Sequence, residues 1–274
     1  MNSRVFPGPH HAGATTRWDY VRIEIIPTPG IVDRVAVTFP AHTDITVTCL
    51  PQHGITPTVQ TAIELAGRDF TAVPHLAARQ VGSEAVLHDS LDAFAEAGIR
   101  TLFIVGGDGR GTGGPYADGG ELLEAVRAHS GAFYELGVAG YPEGHPHFDV
   151  AEGIDLLRRK QVLADFAVTQ MCFTPDTLVA YLGALRAEGV ALPIWLGVPG
   201  RVRLHRLLAV AARIGVGASL SFARKGSTRQ LLRGGHFDSD AFIARVEAET
   251  DQPERFFSGL HFYSFNDLDS VKLR

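Results

Sequence analysis

The sequence predicts an α/β fold, a single (β/α)8 barrel of the TIM type with a reduced first helix and an enlarged seventh crossover. Three observations point there. Eight short, β-branched, apolar runs are spaced along 274 residues. Most are continuously apolar rather than alternating, as strands of a parallel sheet covered on both faces should be. The segments between them carry helical period and helix punctuation, and a chain of this length suits one closed barrel. An open doubly wound sheet is the alternative arrangement of the same elements.

In order, the runs are Val21–Ile26, Ile45–Thr48, Phe70–Pro74, Thr101–Val105, Tyr134–Ala139, Phe166–Gln170, Ile194–Val198 and Leu260–Tyr263. After Gly82, Ser83 is placed to cap a helix whose Leu87, Leu91 and Phe94 fall on one face, with Gly98 at its end. After the sixth run, Thr174 is the cap, Pro175 takes the first helical position, Leu178, Leu182 and Leu185 make the stripe, and Gly189 closes it. The first crossover offers only Gly30–Pro40, with prolines at 27, 29 and 40, so no full helix is expected there. The seventh is long. From Arg201 to Ser258 it holds a helix, a further run Ala218–Ala223, a basic segment at 224–233 and a helix near Ala241–Ala248. No linker or repeat interrupts the chain, which reads as one domain over 1–274 with residues 1–20 as an N-terminal arm.

A formal charge of −5 and a pI of about 6.2 exclude the basic footprint of a nucleic-acid or acidic-membrane binder. The first twenty residues have no apolar core of a signal peptide, and no apolar stretch is long enough to span a membrane. Cys49 and Cys172 form no disulfide framework. These features predict a cytoplasmic protein; oligomeric state is unreadable.

Barrel enzymes carry their chemistry at the C-terminal ends of the strands. The residues expected there are Glu24 in the first strand, Thr48 on the second and His75 after the third. Gly106-Gly107-Asp108 follows the fourth strand, Tyr141-Pro142-Glu143-Gly144-His145-Pro146 the fifth, and Gln170 ends the sixth. An acid amid buried-strand residues is costly unless paired or functional. Arg22 shares the face of Glu24 by strand alternation, so a structural Arg22–Glu24 ion pair is the competing reading. The Gly-Gly-Asp-Gly stretch reads either as a plain tight turn or as a backbone that lets a ring or phosphate approach. Twelve histidines, including His10-His11 and His145-x-His147, show no metal-ligand spacing, and no metal site is expected.

Taken together, these residues resemble the methylenetetrahydrofolate reductase family, over roughly Arg22 to Gly197 and again Leu260 to Asn266. The matching pieces are Ile23-Glu24-Ile25-Ile26-Pro27, Val47-Thr48, Pro74-His75-Leu76, Ala97-Gly98-Ile99-Arg100, Gly107-Asp108 and Tyr116-Ala117. They continue with Tyr141 to Pro146, Leu157-Arg158-Arg159-Lys160, Thr169-Gln170 and His261-Phe262-Tyr263 with Asn266. The resemblance implies a (β/α)8 barrel that reduces 5,10-methylenetetrahydrofolate to 5-methyltetrahydrofolate with NADH or NADPH. It implies Glu24 as general acid, Asp108 as the acid beside the pterin, and Gln170 as a hydrogen-bonding partner of the pterin edge. It makes Thr48, His75, Gly107, Asp108, Tyr116, Ala117, Tyr141, Arg159 and Lys160 the lining of the cofactor groove.

The departures bear on the cofactor. The family's Arg before Gly-Asp is Gly106 here, which removes a charge-assisted contact of about 1.5–3 kcal/mol, roughly tenfold or more in affinity. The segment before strand six is shortened to Leu163-Ala164-Asp165, and Ser219 to Ala223 departs from the family pattern. Little or no bound FAD is therefore expected, with hydride passing directly from the nicotinamide; the flavin-linked route is the alternative. Two other classes fit less of the sequence. One is a folate-binding or one-carbon-transferring barrel without redox activity, the other an unrelated barrel lyase or hydrolase using histidines and a metal.

Overall fold

The computed structural model describes residues 20–51, 54–107, 113–129, 134–201, 203, 232–233, 236–249 and 257–271. The expected N-terminal arm up to residue 19, the run Ala218–Ala223 and most of the basic segment lie outside these residues.

Eight parallel strands close into a barrel. They are β1 (Val21–Ile25), β2 (Asp44–Val47), β3 (Thr71–Ala77), β4 (Thr101–Val105), β5 (Glu135–Gly140), β6 (Phe166–Thr169), β7 (Ile194–Pro199) and, after the seventh crossover, β10 (Gly259–Tyr263). Within that crossover a small antiparallel pair forms, β8 (Leu232–Arg233) with β9 (His236–Phe237). The barrel order β1-β10-β7-β6-β5-β4-β3-β2 closes because β10 pairs with both β7 and β1.

The helices are α1 (Ile31–Thr38), α2 (Thr56–Ala66), α3 (Glu84–Glu96), α4 (Gly119–Ala128), α5 (Val150–Lys160), α6 (Pro175–Ala187) and α7 (Ser239–Glu249). Ser83 caps α3 by accepting from the Val86 N–H, and Leu87, Leu91 and Phe94 are buried beneath it. The glycines that end α3 and α6, Gly98 and Gly189, both have left-handed φ of 77°. Thr174 stands at the N-cap of α6, but its side chain makes no capping hydrogen bond.

The first crossover holds the reduced helix expected of it, eight residues long. The prolines flank a two-turn helix rather than forbid it. Gly30 opens α1 in the left-handed region (φ 73°), Pro27 and Pro29 precede it, and Pro40 follows its extended C-cap Phe39. Ile31, Val32 and Val35 give the helix its buried face. The third strand runs further than the sequence suggested, to Ala77, so His75 lies within β3.

Strand residues alternate between two apolar clusters. Ile23, Ile25, Ile45 and Val47 point outward to the helices, while Val73, Phe103, Phe166, Val168 and Trp195 fill the barrel interior. Phe166 packs where a Cβ at Gly137 would stand 2.2 Å from its ring, so a glycine on β5 makes room for this aromatic floor.

Candidate functional site

Arg22 and Glu24 both face the interior, Arg22 at the floor and Glu24 one layer above it. Arg22 Nε donates to Asp44 Oδ2 at 3.3 Å, and its guanidinium carbon lies 3.9 Å from the centre of the Trp195 ring and 4.4 Å from that of Phe166. Both charged side chains are buried. The competing Arg22–Glu24 ion pair is therefore replaced: β2, hydrogen-bonded to β1 with Arg22 opposite Asp44, supplies the counter-charge.

Glu24 meets two imidazoles instead. Its Oε2 lies 3.3 Å from His261 Nε2, on β10, and 3.8 Å from His75 Nε2, on β3. Among the described residues, no protein donor reaches its Oε1. Burial, opposed by the charge of Glu24, lowers the pKa of His75 to about 4, so this ring is neutral at ordinary pH. The Tyr263 hydroxyl donates to the Thr169 carbonyl at 3.0 Å, and burial pushes its pKa well above the usual phenol range, with the charges of Glu24 and Tyr141 adding to the shift.

Among the described residues, several buried polar atoms around this acid have no hydrogen-bond partner: Thr46 Oγ1, Thr48 Oγ1, His75 Nε2 and His261 Nδ1. Thr46 is the register partner of Glu24 on β2. Unmet polar atoms are costly in a native interior and mark places where a ligand or water completes the hydrogen bonding.

Gln170, Tyr141 and Tyr116-Ala117 lie in the segments that follow β6, β5 and β4. The Gln170 backbone N–H donates to the Gly140 carbonyl, and its side-chain carbonyl accepts from the Met171 N–H at 2.8 Å. This leaves the amide NH2 as the group it presents. Tyr141 follows β5, its N–H donating to the hydroxyl of Tyr181, whose burial raises its pKa to about 12. Tyr116 and Ala117 precede α4, and the Ala117 N–H donates to Glu121. Gly107 has φ 84°, the conformation its turn requires. Asp108 lies outside the described residues.

The two basic residues expected to line the groove, Arg159 and Lys160 at the end of α5, are engaged within the chain. Arg159 pairs with Asp155 one turn earlier at 3.3 Å. Lys160 reaches the N-terminal turn of α4, which Asp118 caps; burial lowers its pKa and the Asp118 charge opposes this.

Sequence reasoning missed His261 and Arg79 as members of the site. The signal for His261 was available, since two-residue periodicity puts it on the face of Tyr263 and barrel closure puts β10 beside β1. For Arg79 there was none: its guanidinium donates to the Gly107 carbonyl and stands 3.9 Å from where a Cβ at Gly106 would be. Among the described residues, no group of three or more His, Cys, Asp or Glu is arranged to hold a metal ion. No helix among them is long and apolar enough to cross a membrane.

The family model described as "Methylenetetrahydrofolate reductase" matches residues 30–210. "Methylenetetrahydrofolate reductase 1" of Schizosaccharomyces pombe is 31% identical over 153 residues, covering 53% of this chain and 24% of that protein. "Methylenetetrahydrofolate reductase (NADH) 1" of Zea mays is 29% identical over 144 residues, covering 46% and 24%. "Probable methylenetetrahydrofolate reductase (NADPH)" of Caenorhabditis elegans is 29% identical over 80 residues, covering 28% and 12%. The matched stretch thus spans about a quarter or less of these relatives' length. Among solved structures, a Clostridium thermocellum protein described as binding two copies of 5-methyl-5,6,7,8-tetrahydrofolic acid superposes with a TM-score of 0.57. The two are 11% identical, and the superposition covers 89% of this chain and 87% of that one. A 2,3-dimethylmalate lyase superposes with a TM-score of 0.51 at 11% identity, covering 92% and 78%. Both likenesses speak for the barrel alone.

Proposed function

The chain belongs to the methylenetetrahydrofolate reductase family, and on that footing we propose that it reduces 5,10-methylenetetrahydrofolate to 5-methyltetrahydrofolate, taking hydride from NADH or NADPH. The observation that carries the reading is Glu24, an acid held inside the barrel near the C-terminal end of β1. Its Oε2 faces two histidines, and among the described residues no donor reaches its Oε1.

The substrate's five-membered ring opens when N10 receives a proton, leaving an iminium at N5. Glu24 gives that proton, a task suited to a carboxyl in a partly desolvated setting. The nicotinamide supplies the hydride that reduces the exocyclic carbon. Asp108 stabilises the cation by its charge, and the Gln170 amide NH2 donates to the pterin edge. Methylenetetrahydrofolate, NADH or NADPH and one proton give 5-methyltetrahydrofolate and the oxidised nicotinamide, so the balance closes.

We place the nicotinamide in the groove along Thr48, His75, Gly107, Tyr116, Ala117 and Tyr141. The unmet Thr48 Oγ1 and His75 Nε2 suit the polar edge of a ring, nicotinamide and isoalloxazine alike. A flavin's diphosphate is served less well, because Arg159 is paired with Asp155, Lys160 faces Asp118 and position 106 is glycine. We therefore read the enzyme as holding little or no FAD, and as a cytoplasmic protein whose two buried cysteines stay unpaired. The test is nicotinamide oxidation by purified protein with no flavin added. Consumption that requires methylenetetrahydrofolate supports the reading. Folate binding without consumption favours a non-redox folate barrel, and stoichiometric FAD in the protein restores the flavin-linked route.

A further inference from the structure

We propose that His261 is the positioning residue of the acid: it holds Glu24 by one carboxylate oxygen so that the other faces the substrate. The inference rests on the reading of Glu24 as the proton donor and adds the device that aims it.

The last strand is built to grip the first. β10 lies beside β1 with His261 opposite Arg22 and Tyr263 opposite Glu24. Just past its end, the Ser264 hydroxyl donates to the Glu24 carbonyl at 2.5 Å, and the Ser264 N–H reaches the same oxygen at 3.4 Å. Asn266, at φ 61°, closes two further bonds: its side-chain oxygen accepts from the Ile26 N–H at 2.7 Å, and its Nδ2 donates to the Ile26 carbonyl at 2.9 Å. The main chain on and after Glu24 is therefore fixed by β10 and the turn beyond it. His261 extends that grip to the side chain.

The tautomer follows from the partners. His261 is buried, and among the described residues its Nδ1 has no hydrogen-bond partner. A proton placed on Nδ1 would leave a buried donor unmet, while a proton on Nε2 bonds to Glu24 Oε2 at 3.3 Å. His261 thus donates to Oε2. His75 faces the same oxygen at 3.8 Å, beyond hydrogen-bond range, and is neutral. Both imidazoles lie on one oxygen, so the rotation that would swing Oε1 away from the substrate breaks the bond from His261. Holding a reacting group within a few tenths of an ångström is worth large factors in rate, with little effect on ground-state binding.

The experiment compares wild type with His261→Phe, His261→Gln, His261→Asn and Glu24→Gln by steady-state kinetics, folate binding and thermal melting. Phe removes the donor and keeps the ring. Gln can put an amide N–H where Nε2 stands, whereas Asn reaches only the place of Nδ1. His261→Phe is expected to lower kcat on the order of 10- to 100-fold, with the KM for methylenetetrahydrofolate within about threefold. His261→Gln is expected to recover most of that loss and His261→Asn little of it; should Phe fail to fold, the Gln–Asn contrast carries the test. Full kcat in the folded Phe or Asn variant, a loss confined to KM, or a Gln variant as impaired as Asn overturns the assignment. If Glu24→Gln is inactive while the His261 variants are not, the positioning role alone falls. If Glu24→Gln keeps its turnover, the proton-donor reading falls, and this inference with it.

Discussion

Arg22 and Glu24 stand two residues apart on the inner face of β1, and each is answered by a different strand. Arg22 is paired with Asp44 on β2, between the rings of Phe166 and Trp195, while Glu24 faces His261 on β10 and His75 on β3. The lower pair is a neutralised floor. The upper acid faces two imidazoles in place of that guanidinium.

That division makes Asp44 structural. Asp44→Ala leaves a buried guanidinium without its counter-charge, a change that typically costs about 3–5 kcal/mol. We expect a folded but much less stable protein in urea or thermal unfolding. Unchanged stability would show that the two rings alone satisfy Arg22.

Glu24→Gln keeps the shape and hydrogen-bonding reach of the side chain but has no proton of the right acidity to give. Turnover is expected to vanish while folate binding stays within a few-fold. Full activity in this variant would remove Glu24 from the chemistry.

Asp108→Asn is expected to lower turnover more than it lowers the melting temperature, because in the sequence Asp108 follows the end of β4 by three residues, where barrel enzymes carry their chemistry. A large stability loss with unchanged turnover would mark the turn as structural.

His75 links stability to pH. Unfolded, it takes up a proton near pH 6.5; folded, only near pH 4, because burial disfavours the charged ring. Between those values the unfolded state binds more protons, so stability falls as the pH falls through that window and levels off below it. The difference amounts to about 3 kcal/mol. Unfolding free energies measured from pH 7 down to 4 should show this decline in the wild type and a shallower one in His75→Phe. Parallel curves would show that His75 is protonated as readily folded as unfolded.

The barrel was legible because parallel strands buried on both faces write themselves as apolar runs, and all eight barrel strands fall on the expected ones with shifts at their ends. The first helix is reduced, as expected, to two turns, but Pro27, Pro29 and Pro40 bound it from outside rather than break it. Glu24, Thr48, His75 and Gln170 were singled out as candidates from their places near strand ends. What sequence order could not supply was which strand answers which charge. Asp44 lies 22 positions from Arg22, and His261 lies 237 from Glu24. Only closure of the barrel brings either pair together.

The central claim is tested most directly by following deuterium from NADH labelled at its transferable position into the folate product, with purified protein and no added flavin. Direct transfer to the iminium that Glu24 generates predicts 5-methyltetrahydrofolate carrying one deuterium in its methyl group. A product whose methyl group has lost the label to solvent would contradict direct transfer and point to an exchanging flavin, and no 5-methyltetrahydrofolate at all would contradict the reductase reading itself.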